Sequence, residues 1–176
     1  LAVISALNEA GINIDRVKEY FYGFTGMGRR FQKVCEIDGV QIYDDYAHHP
    51  SEIQSTLKAI ENLKRKKKVI FQPHRYTRFQ SLWEEFKTAF SDADKLIITD
   101  VYSAGEDKIE NINSERFSKE VIHKDSIYVA GSMEECAEKI FPELKENDII
   151  ITLGAGTITQ LGGYLKNKIS GECKIG

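Results

Sequence analysis

The sequence predicts an α/β fold, a Rossmann-like three-layer arrangement in which a mostly parallel sheet lies between flanking helices. Short apolar runs without alternation recur along the chain at 69–71, 96–98, 127–129 and 149–151. Runs of this kind are typical of strands that are covered on both faces. Helical patterns with apolar residues at three-and-four spacing lie between the runs. This alternation of strand and helix predicts right-handed crossovers and therefore a parallel sheet.

Composition indicates an ordinary globular protein. The 176 residues are enough to bury a sizeable core in one domain. Hydrophobic residues make up 41% and charged residues 29%, and the net charge of -3 gives no electrostatic reason to bind nucleic acid. The three cysteines share no CxxC spacing, which predicts free thiols and a cytoplasmic location. No apolar run approaches the roughly 20 residues that span a bilayer, so no membrane partner is expected.

The N-terminal residues predict two short helices that have no sheet of their own. An apolar helical face ends at Gly11, and Asp15 can cap a second short helix. A glycine-rich linker follows at 23–28. We therefore expect a domain boundary here, with a helical segment over 1–26 and the α/β domain over 27–176.

The α/β domain opens with a predicted N-terminal β-hairpin. Two strands, near 31–37 and 40–45, turn at Asp38-Gly39, a dipeptide typical of tight hairpins. Pro50 suits the first turn of the helix that comes next, and the basic run 64–68 is predicted to close that helix, where positive charge complements the helix dipole. A second helical pattern carries these apolar residues: Phe79, Leu82, Trp83, Phe86 and Phe90.

Two polar loops each follow a predicted strand and precede a helix. The first runs from Asp44 to Pro50 and supplies carboxylates and imidazoles, and the second runs from Phe71 to Arg78 and supplies a histidine and two arginines. In an open α/β sheet, ligands bind outside the carboxyl ends of the strands. The two loops therefore predict a binding site for hydroxyl groups at one place and anions at another.

The first loop offers acceptors for a ligand. Asp45 can hold the two hydroxyls of a ribose because an ionised carboxylate has two acceptor oxygens. The alternative is that Asp44 and Asp45 only balance the charge of a helix end. His48, His49 and His74 lack an acidic or cysteine partner at ligand spacing, so no metal is expected and these imidazoles are predicted to contact substrate.

Two pairs of arginines are candidate anion ligands. Arg75 and Arg78 lie three apart at a helix start, so their guanidiniums can converge on one carboxylate or phosphate. A solvated helix start is the alternative, but cations there oppose the helix dipole. Arg29 and Arg30 follow the glycine-rich linker and can deliver a guanidinium to a phosphate or form an interdomain salt bridge.

The glycine-rich segments are not phosphate loops, since no G-x-x-x-x-G-K-[ST] occurs in the chain. Gly154-Ala155-Gly156-Thr157 follows a strand and opens a helix, but Thr159 stands where a dinucleotide fingerprint has its third glycine. Close packing or a backbone contact to ligand is favoured there. The loop from Val101 to Glu106 is a third polar loop after a strand, and no chemistry is assigned to it.

In order and spacing, these segments resemble the C-terminal domain of the Mur ligase family, among whose members they are most similar to those that join L-alanine to UDP-N-acetylmuramate in peptidoglycan synthesis. The resemblance rests on Arg29-Arg30, the three polar loops, and the segment from Leu153 to Thr157, and it covers nearly the whole chain. It implies three domains: one for the UDP-sugar, a central one with the ATP phosphate loop, and this one, which closes over ATP and brings in the amino acid. Residues 1–26 then resemble the end of the central domain.

The resemblance also implies roles for individual residues. ATP is a substrate, with Mg2+ held by the central domain; Asp45 binds the ATP ribose, and Arg30 the phosphates during transfer. The histidine and arginines of the second loop hold the alanine carboxylate, and the tyrosine and histidines of the first limit the space around its side chain. The residues assigned to the amino acid are Tyr46, His48, His49, His74, Arg75 and Arg78.

Two other hypotheses remain open. The chain can be a free-standing Rossmann-like nucleotide-binding module, in which the Gly154 loop would prefer a dinucleotide to ATP. It can also come from a ligase that recycles murein peptides, whose pocket takes a tripeptide, although Arg75 and Arg78 argue against that. Because the phosphate-loop lysine and the magnesium ligands of the central domain do not occur in it, the chain alone is predicted to be inactive.

Overall fold

The computed structural model describes residues 2–19 and 28–171. Helix α1 (Ala2–Glu9) agrees with the first predicted helix, and a short 3-10 helix (Ile14–Arg16) follows it. The second predicted helix, after Asp15, extends into residues outside the described ones and stays a prediction. Val3 and Ile12, two of its apolar residues, are exposed. All but the last residue of the expected glycine-rich linker lies outside the described residues, so the domain boundary stays a prediction.

Six strands form one sheet, which confirms the predicted hairpin and the mostly parallel arrangement. The strands are β1 (Gln32–Ile37), β2 (Val40–Asp45), β3 (Lys66–Phe71), β4 (Lys95–Thr99), β5 (Ser126–Val129) and β6 (Asp148–Leu153). Their order across the sheet is β1-β2-β6-β3-β4-β5. Only β1 and β2 pair antiparallel, and every other neighbouring pair is parallel.

Helices cover both faces of this sheet. They are α2 (Pro50–Ala59), α3 (Tyr76–Ser81), α4 (Trp83–Lys87), α5 (Ser114–Glu120), α6 (Met133–Ile140) and α7 (Thr159–Ile169), with a 3-10 turn at Phe141–Glu143. Successive strand residues point to opposite faces. Val69 and Phe71 accordingly pack with α2 to α5, whereas Ile70 packs with α6 and α7. The predicted three layers are thus confirmed.

The basic run 64–68 was expected to close a helix, and that prediction is wrong. Helix α2 ends at Ala59, and the last three lysines of the run begin β3. Pairing with β6 explains the difference, because it places Lys68 where its ammonium lies 2.6 Å from the carboxylate of Asp148. Both side chains are buried, and the ion pair compensates the cost of burying either charge.

The apolar pattern over 79–90 forms two helices instead of one. The backbone departs from helical geometry at Leu82, where φ is -114°. Hydrogen bonding nevertheless crosses the break, since Leu82 N donates to the Arg78 carbonyl and Phe86 N donates to the Leu82 carbonyl. The chain therefore bends while α3 and α4 still bury their apolar residues, among them Phe79.

The single tryptophan of the chain lies in an aromatic cluster beneath these helices. The Trp83 ring packs against Phe79 and Phe117, with ring centroids 4.9 and 5.1 Å apart. Its indole N–H donates to Glu120 at 3.0 Å, and the guanidinium of Arg116 lies 5.2 Å from its ring. The cluster fixes α5 against α3 and α4. Within residues 2–19 and 28–171, no helix has the length and apolar character needed to cross a membrane.

Candidate functional site

The loops that follow β2, β6 and β3 begin level with one another at one edge of the sheet. Leu153 at the end of β6 pairs with Asp45 at the end of β2 on one side and with Phe71 at the end of β3 on the other. A single bridge between His74 and Tyr102 then joins the loops after β3 and β4. The parallel sheet therefore brings the three polar loops of the sequence together.

Asp44 has a structural role at this edge. Its carboxylate is buried and accepts hydrogen bonds from the hydroxyls of Thr152 at 2.7 Å and Thr159 at 2.9 Å. Arg29 donates to the same carboxylate through Nε at 3.0 Å, and through Nη2 to the Gly154 carbonyl at 2.6 Å. Arg29 thus forms a salt bridge within the α/β domain instead of the interdomain one considered from the sequence, and it ties the start of β1 to the loop after β6.

Asp45 is only 5% exposed. Its Oδ1 accepts the backbone N–H of Ala47 at 2.8 Å, and its Oδ2 accepts that of Phe31 at 2.9 Å. The Thr56 hydroxyl donates to Oδ2 as well, at 3.4 Å, and because a carboxylate oxygen has two lone pairs, Oδ1 is the oxygen that retains one for a ligand. The ribose-binding role of Asp45 stays a prediction, and the fold gives this residue a second task in holding two backbone segments.

Arg30 is exposed next to the Tyr46 ring. Its guanidinium lies 5.8 Å from the ring centroid, and that of Arg29 lies 5.0 Å from the same ring. Such contacts are cation–π interactions. Among the described residues, Arg30 has no side-chain hydrogen bond or ion pair. Its charge is therefore available to an anion.

His48 is oriented from two sides. Its Nδ1 lies 2.9 Å from the Tyr46 carbonyl, and because a carbonyl only accepts, Nδ1 carries the proton in that contact. Glu52 Oε2 lies 3.5 Å from the same nitrogen and accepts the backbone N–H groups of His48 and His49. Burial raises the pKa of Glu52, but these N–H groups and nearby positive charge outweigh it and hold the pKa below its ordinary value.

His74 has the opposite arrangement of its ring nitrogens. Its Nδ1 lies 3.1 Å from Arg78 Nη1, and because a guanidinium only donates, Nδ1 is the acceptor and the neutral ring carries its proton on Nε2. Burial, and next the charge of Arg78, lower the pKa of His74, which favours the neutral ring. The ring stacks on Tyr102 with centroids 5.5 Å apart, and the His48 ring lies 5.9 Å away on another side.

Arg75 and Arg78 have different partners. Arg75 Nε donates to Glu106 Oε1 at 2.6 Å, whereas Arg78 donates to His74. Both arginines line one shallow depression of about 510 Å3, together with His49 at the N-terminal cap of α2. The two arginines therefore line the same depression, but Arg75 already forms an ion pair with Glu106. Their convergence on one ligand stays a prediction.

Glu106 is a site residue that the sequence did not reveal. It accepts the backbone N–H of Thr77 at 3.0 Å and its hydroxyl at 2.7 Å, in addition to Arg75. These hydrogen bonds, the backbone one first, hold the pKa of Glu106 at about 2. The only signal in the sequence is a carboxylate in a polar loop after a strand, and its partners lie about 30 positions away.

The glycine loop after β6 packs against β3. A Cβ at Gly156 would lie 2.5 Å from Gln72 Oε1 and 2.6 Å from Tyr102 Cγ. The buried side chain of Gln72 also spans the loop, accepting the Ile158 N–H and donating to the Thr157 hydroxyl. The loop thus shows the close packing that the sequence favoured over a dinucleotide fingerprint.

Among the described residues, no three histidine, cysteine, aspartate or glutamate side chains cluster so that they can hold a metal ion. The Mg2+ expected in a central domain remains a prediction about residues beyond these.

Comparisons with known proteins agree on one family. The family described as "Mur ligase, glutamate ligase domain" matches residues 29–156. The chain is 42% identical over 173 residues to the UDP-N-acetylmuramate–L-alanine ligase of Geotalea daltonii, covering 96% of this chain and 38% of that protein. It is also 42% identical over 167 residues to the ligase of the same name from Geobacter sulfurreducens, covering 92% of this chain and 36% of that protein.

Solved structures show the same relationship. The crystal structure of a UDP-N-acetylmuramate–alanine ligase from Thermotoga maritima aligns with a TM-score of 0.77 at 26% identity, covering 97% of this chain and 36% of that one. The chain thus spans little more than a third of the length of these relatives. Since the family match covers most of the sequence and includes the polar loops, the chain belongs to the Mur ligase family, whose C-terminal domain it carries.

Proposed function

We propose that this chain is the domain of an ATP-dependent ligase that binds the amino acid and closes over ATP while L-alanine is joined to UDP-N-acetylmuramate. The observation that carries the proposal is the Arg78–His74 pair beside His48 and Tyr46, at the carboxyl edge of the sheet. The names of the relatives support the choice of substrates. We place the reaction in the cytoplasm, where ATP is available and the thiols of Cys35 and Cys136 stay reduced.

The proposed reaction has two stages. The γ-phosphoryl group of ATP passes to the muramoyl carboxylate, and the amine of L-alanine then attacks the acyl phosphate and expels phosphate. Charge develops on the transferred phosphoryl group, and a positioned cation stabilises it. Arg30, exposed and without an ion-pair partner among the described residues, is the cation that this domain supplies. Asp45 would hold the ribose through the remaining lone pair of Oδ1.

The amino acid would lie against the second loop. The planar fork of Arg78 suits a carboxylate, and His74 adds an N–H donor at Nε2. Arg75 is neutralised by Glu106, so we assign it to shaping the depression, with His49 opposite. Tyr46 and His48 would limit the space around a small side chain. The described residues offer no cluster of side chains that fits Mg2+, so its ligands are expected in the central domain.

A substrate panel tests the proposal. A full-length ligase that carries this chain is given ATP, UDP-N-acetylmuramate and either L-alanine, glycine, L-serine or a murein tripeptide, and ADP release is measured. We expect the highest kcat/KM with L-alanine. Preference for the tripeptide would instead identify a recycling ligase, and binding of NAD in place of ATP by the chain would indicate a dinucleotide module.

Two substitutions test the nucleotide roles. Asp45→Asn keeps one carbonyl acceptor for the backbone but loses the charge, and losing a charged hydrogen bond costs about 1.5–3 kcal/mol, so the KM for ATP should rise about tenfold or more. Arg30→Ala should lower kcat more than it weakens ATP binding. Lys64→Ala, at an exposed cation before β3 that has no ion-pair partner among the described residues, is the matched control for loss of a surface positive charge. Unchanged kinetics in both site variants would leave these residues with structural roles only.

A further inference from the structure

We infer that His48 is the catalytic residue that accepts the proton of the substrate's amino group, and that Glu52 is its positioning residue. The inference rests on the proposed function, since a ligase of this kind needs an uncharged amine for attack. An amino acid arrives as an ammonium ion at neutral pH, and an ammonium nitrogen has no lone pair. Some group must therefore take a proton before the new bond can form.

The two histidines of the site are held in opposite tautomers. The Tyr46 carbonyl at 2.9 Å requires the proton of His48 on Nδ1, which leaves Nε2 bare in the neutral ring. Arg78 at 3.1 Å requires His74 to accept at Nδ1, which places its proton on Nε2. With ring centroids 5.9 Å apart, the pair offers one acceptor and one donor.

This pairing complements a zwitterion. The bare nitrogen of His48 accepts from an ammonium group, and the N–H of His74 donates to a carboxylate beside the Arg78 guanidinium. The two charged groups of an α-amino acid are attached to one carbon, so both fit only where acceptor and donors lie close together. Exchanging the two tautomers would place a donor against the ammonium and abolish the fit.

Glu52 supports His48 in the way that the carboxylate of a catalytic triad supports its imidazole, although the Glu52 side chain is only partly buried. Its Oε2 lies 3.5 Å from His48 Nδ1, on the side away from the bare nitrogen, and is fixed by the N–H groups of His48 and His49. The negative charge stabilises the imidazolium that forms. The charged and titratable groups around His48 are Glu52, His49, Tyr46, His74 and Arg78, with Arg29 and Arg30 across the Tyr46 ring.

The ammonium loses one proton to His48 Nε2, and the lone pair of the resulting amine forms the C–N bond with the acyl carbon. The C–O bond to phosphate breaks as the tetrahedral intermediate collapses. The second nitrogen proton leaves with the phosphate, and His48 returns the first to solvent, so an amide, hydrogen phosphate and one proton are produced.

Nuclear magnetic resonance of the 176-residue chain tests the tautomers without any catalysis. Histidine-labelled protein at about pH 8.5, where imidazoles are neutral, should show His48 protonated on Nδ1 and His74 on Nε2. The chain itself is the sample, so the result is independent of the proposed function. A His48 ring protonated on Nε2 would overturn the inference.

Kinetics of a full-length ligase that carries this chain test the role. His48→Gln should lower alanine-dependent kcat about 10²- to 10⁴-fold, the usual contribution of general base catalysis, and the loss should shrink as the pH rises and alanine arrives already deprotonated. Hydroxylamine is uncharged at neutral pH and needs no base, so its capture of the acyl phosphate should persist in the variant. His123→Gln, whose histidine contacts the Ala93 carbonyl, is the matched control.

Glu52→Gln separates positioning from folding. The amide oxygen can still accept the two N–H groups, but without the negative charge the imidazolium is less stable, so the acidic limb of kcat/KM for alanine should move to lower pH. The inference would be refuted if His48→Gln lowered the alanine and hydroxylamine reactions equally. It would also be refuted if the acidic limb of kcat/KM for alanine did not move in Glu52→Gln. A wild-type ligase that rejects alanine yet shows the expected tautomers would instead refute the proposed function.

Discussion

The Glu106 carboxylate links the loop after β4 to the start of α3, and its effect on stability should depend on pH. Its folded-state pKa of about 2 lies below the ordinary value of 4.5, so its contribution is present above the ordinary value and is lost as the pH falls toward 2. Glu106→Gln should therefore unfold at lower denaturant than the wild type at pH 7, and the difference should narrow between pH 4.5 and 2. Glu110→Gln, on the same exposed loop, is the control; a difference that stays constant with pH would contradict this account.

Replacing each arginine of the second loop with lysine should have different effects on alanine binding. Arg78→Lys keeps the charge but loses the planar fork, so in a full-length ligase the KM for alanine should rise by about tenfold, or about 1.4 kcal/mol, while that for ATP stays nearly unchanged. Arg75→Lys should cost less, because Arg75 is already paired with Glu106 on a partly exposed surface. Steady-state kinetics of both variants decide the matter, and equal effects would assign both guanidiniums to the ligand.

The residue types of this site were readable from the sequence, but their partners were not. Arg75 and Arg78 are one helical turn apart, and spacing alone suggested a shared ligand. Glu106 approaches from a loop about 30 positions away, and the tautomers of His48 and His74 depend on which neighbour is a carbonyl and which a guanidinium. Such contacts depend on how loops meet in space, which no local pattern specifies.

At the level of elements, the turn after β6 should tolerate no side chain. Gly156→Ala would place a methyl group 2.5 Å from Gln72 Oε1, and overpacking of this kind costs about 1–3 kcal/mol. Gly163→Ala on α7 is the matched control, because its added methyl meets nothing within 4 Å and alanine favours a helix. Chemical denaturation should show the first variant destabilised and the second unchanged or stabilised. Equal stability of the two would show that both Gln72 and Tyr102 move aside.

The strands were predictable because each is a short apolar run, and pairing in a parallel sheet covers such runs on both faces. The lysine run at the start of β3 was not predictable as a strand, since a run of charged residues normally marks a solvated helix end. Its assignment depends on the buried partner of Lys68, Asp148. The bend at Leu82 was equally hidden, because apolar spacing continues through it. The presence of a helix can be predicted from apolar periodicity, whereas the residues at which it ends depend on local contacts.

For the whole molecule, we expect the chain alone to fold and yet to catalyse nothing. The sheet has a core on each face, but the sequence holds no phosphate-loop motif and spans little more than a third of its relatives. Circular dichroism should show cooperative unfolding, and a coupled phosphate assay should show no alanine-dependent turnover. Turnover by the purified chain would mean that the other domains are dispensable.

The aromatic cluster around Trp83 makes the protein its own fluorescent reporter. As the sole tryptophan, it reports one environment, in which neighbouring rings and the Glu120 acceptor replace water. Emission should shift to longer wavelength when α5 separates from α3 and α4. Because Arg116 and the indole itself lower the pKa of Glu120 to about 2, Glu120 should stay ionised in mild acid and this contact should leave the emission unchanged there. Intrinsic tryptophan fluorescence can thus report the packing of α5 against α3 and α4 without any added label.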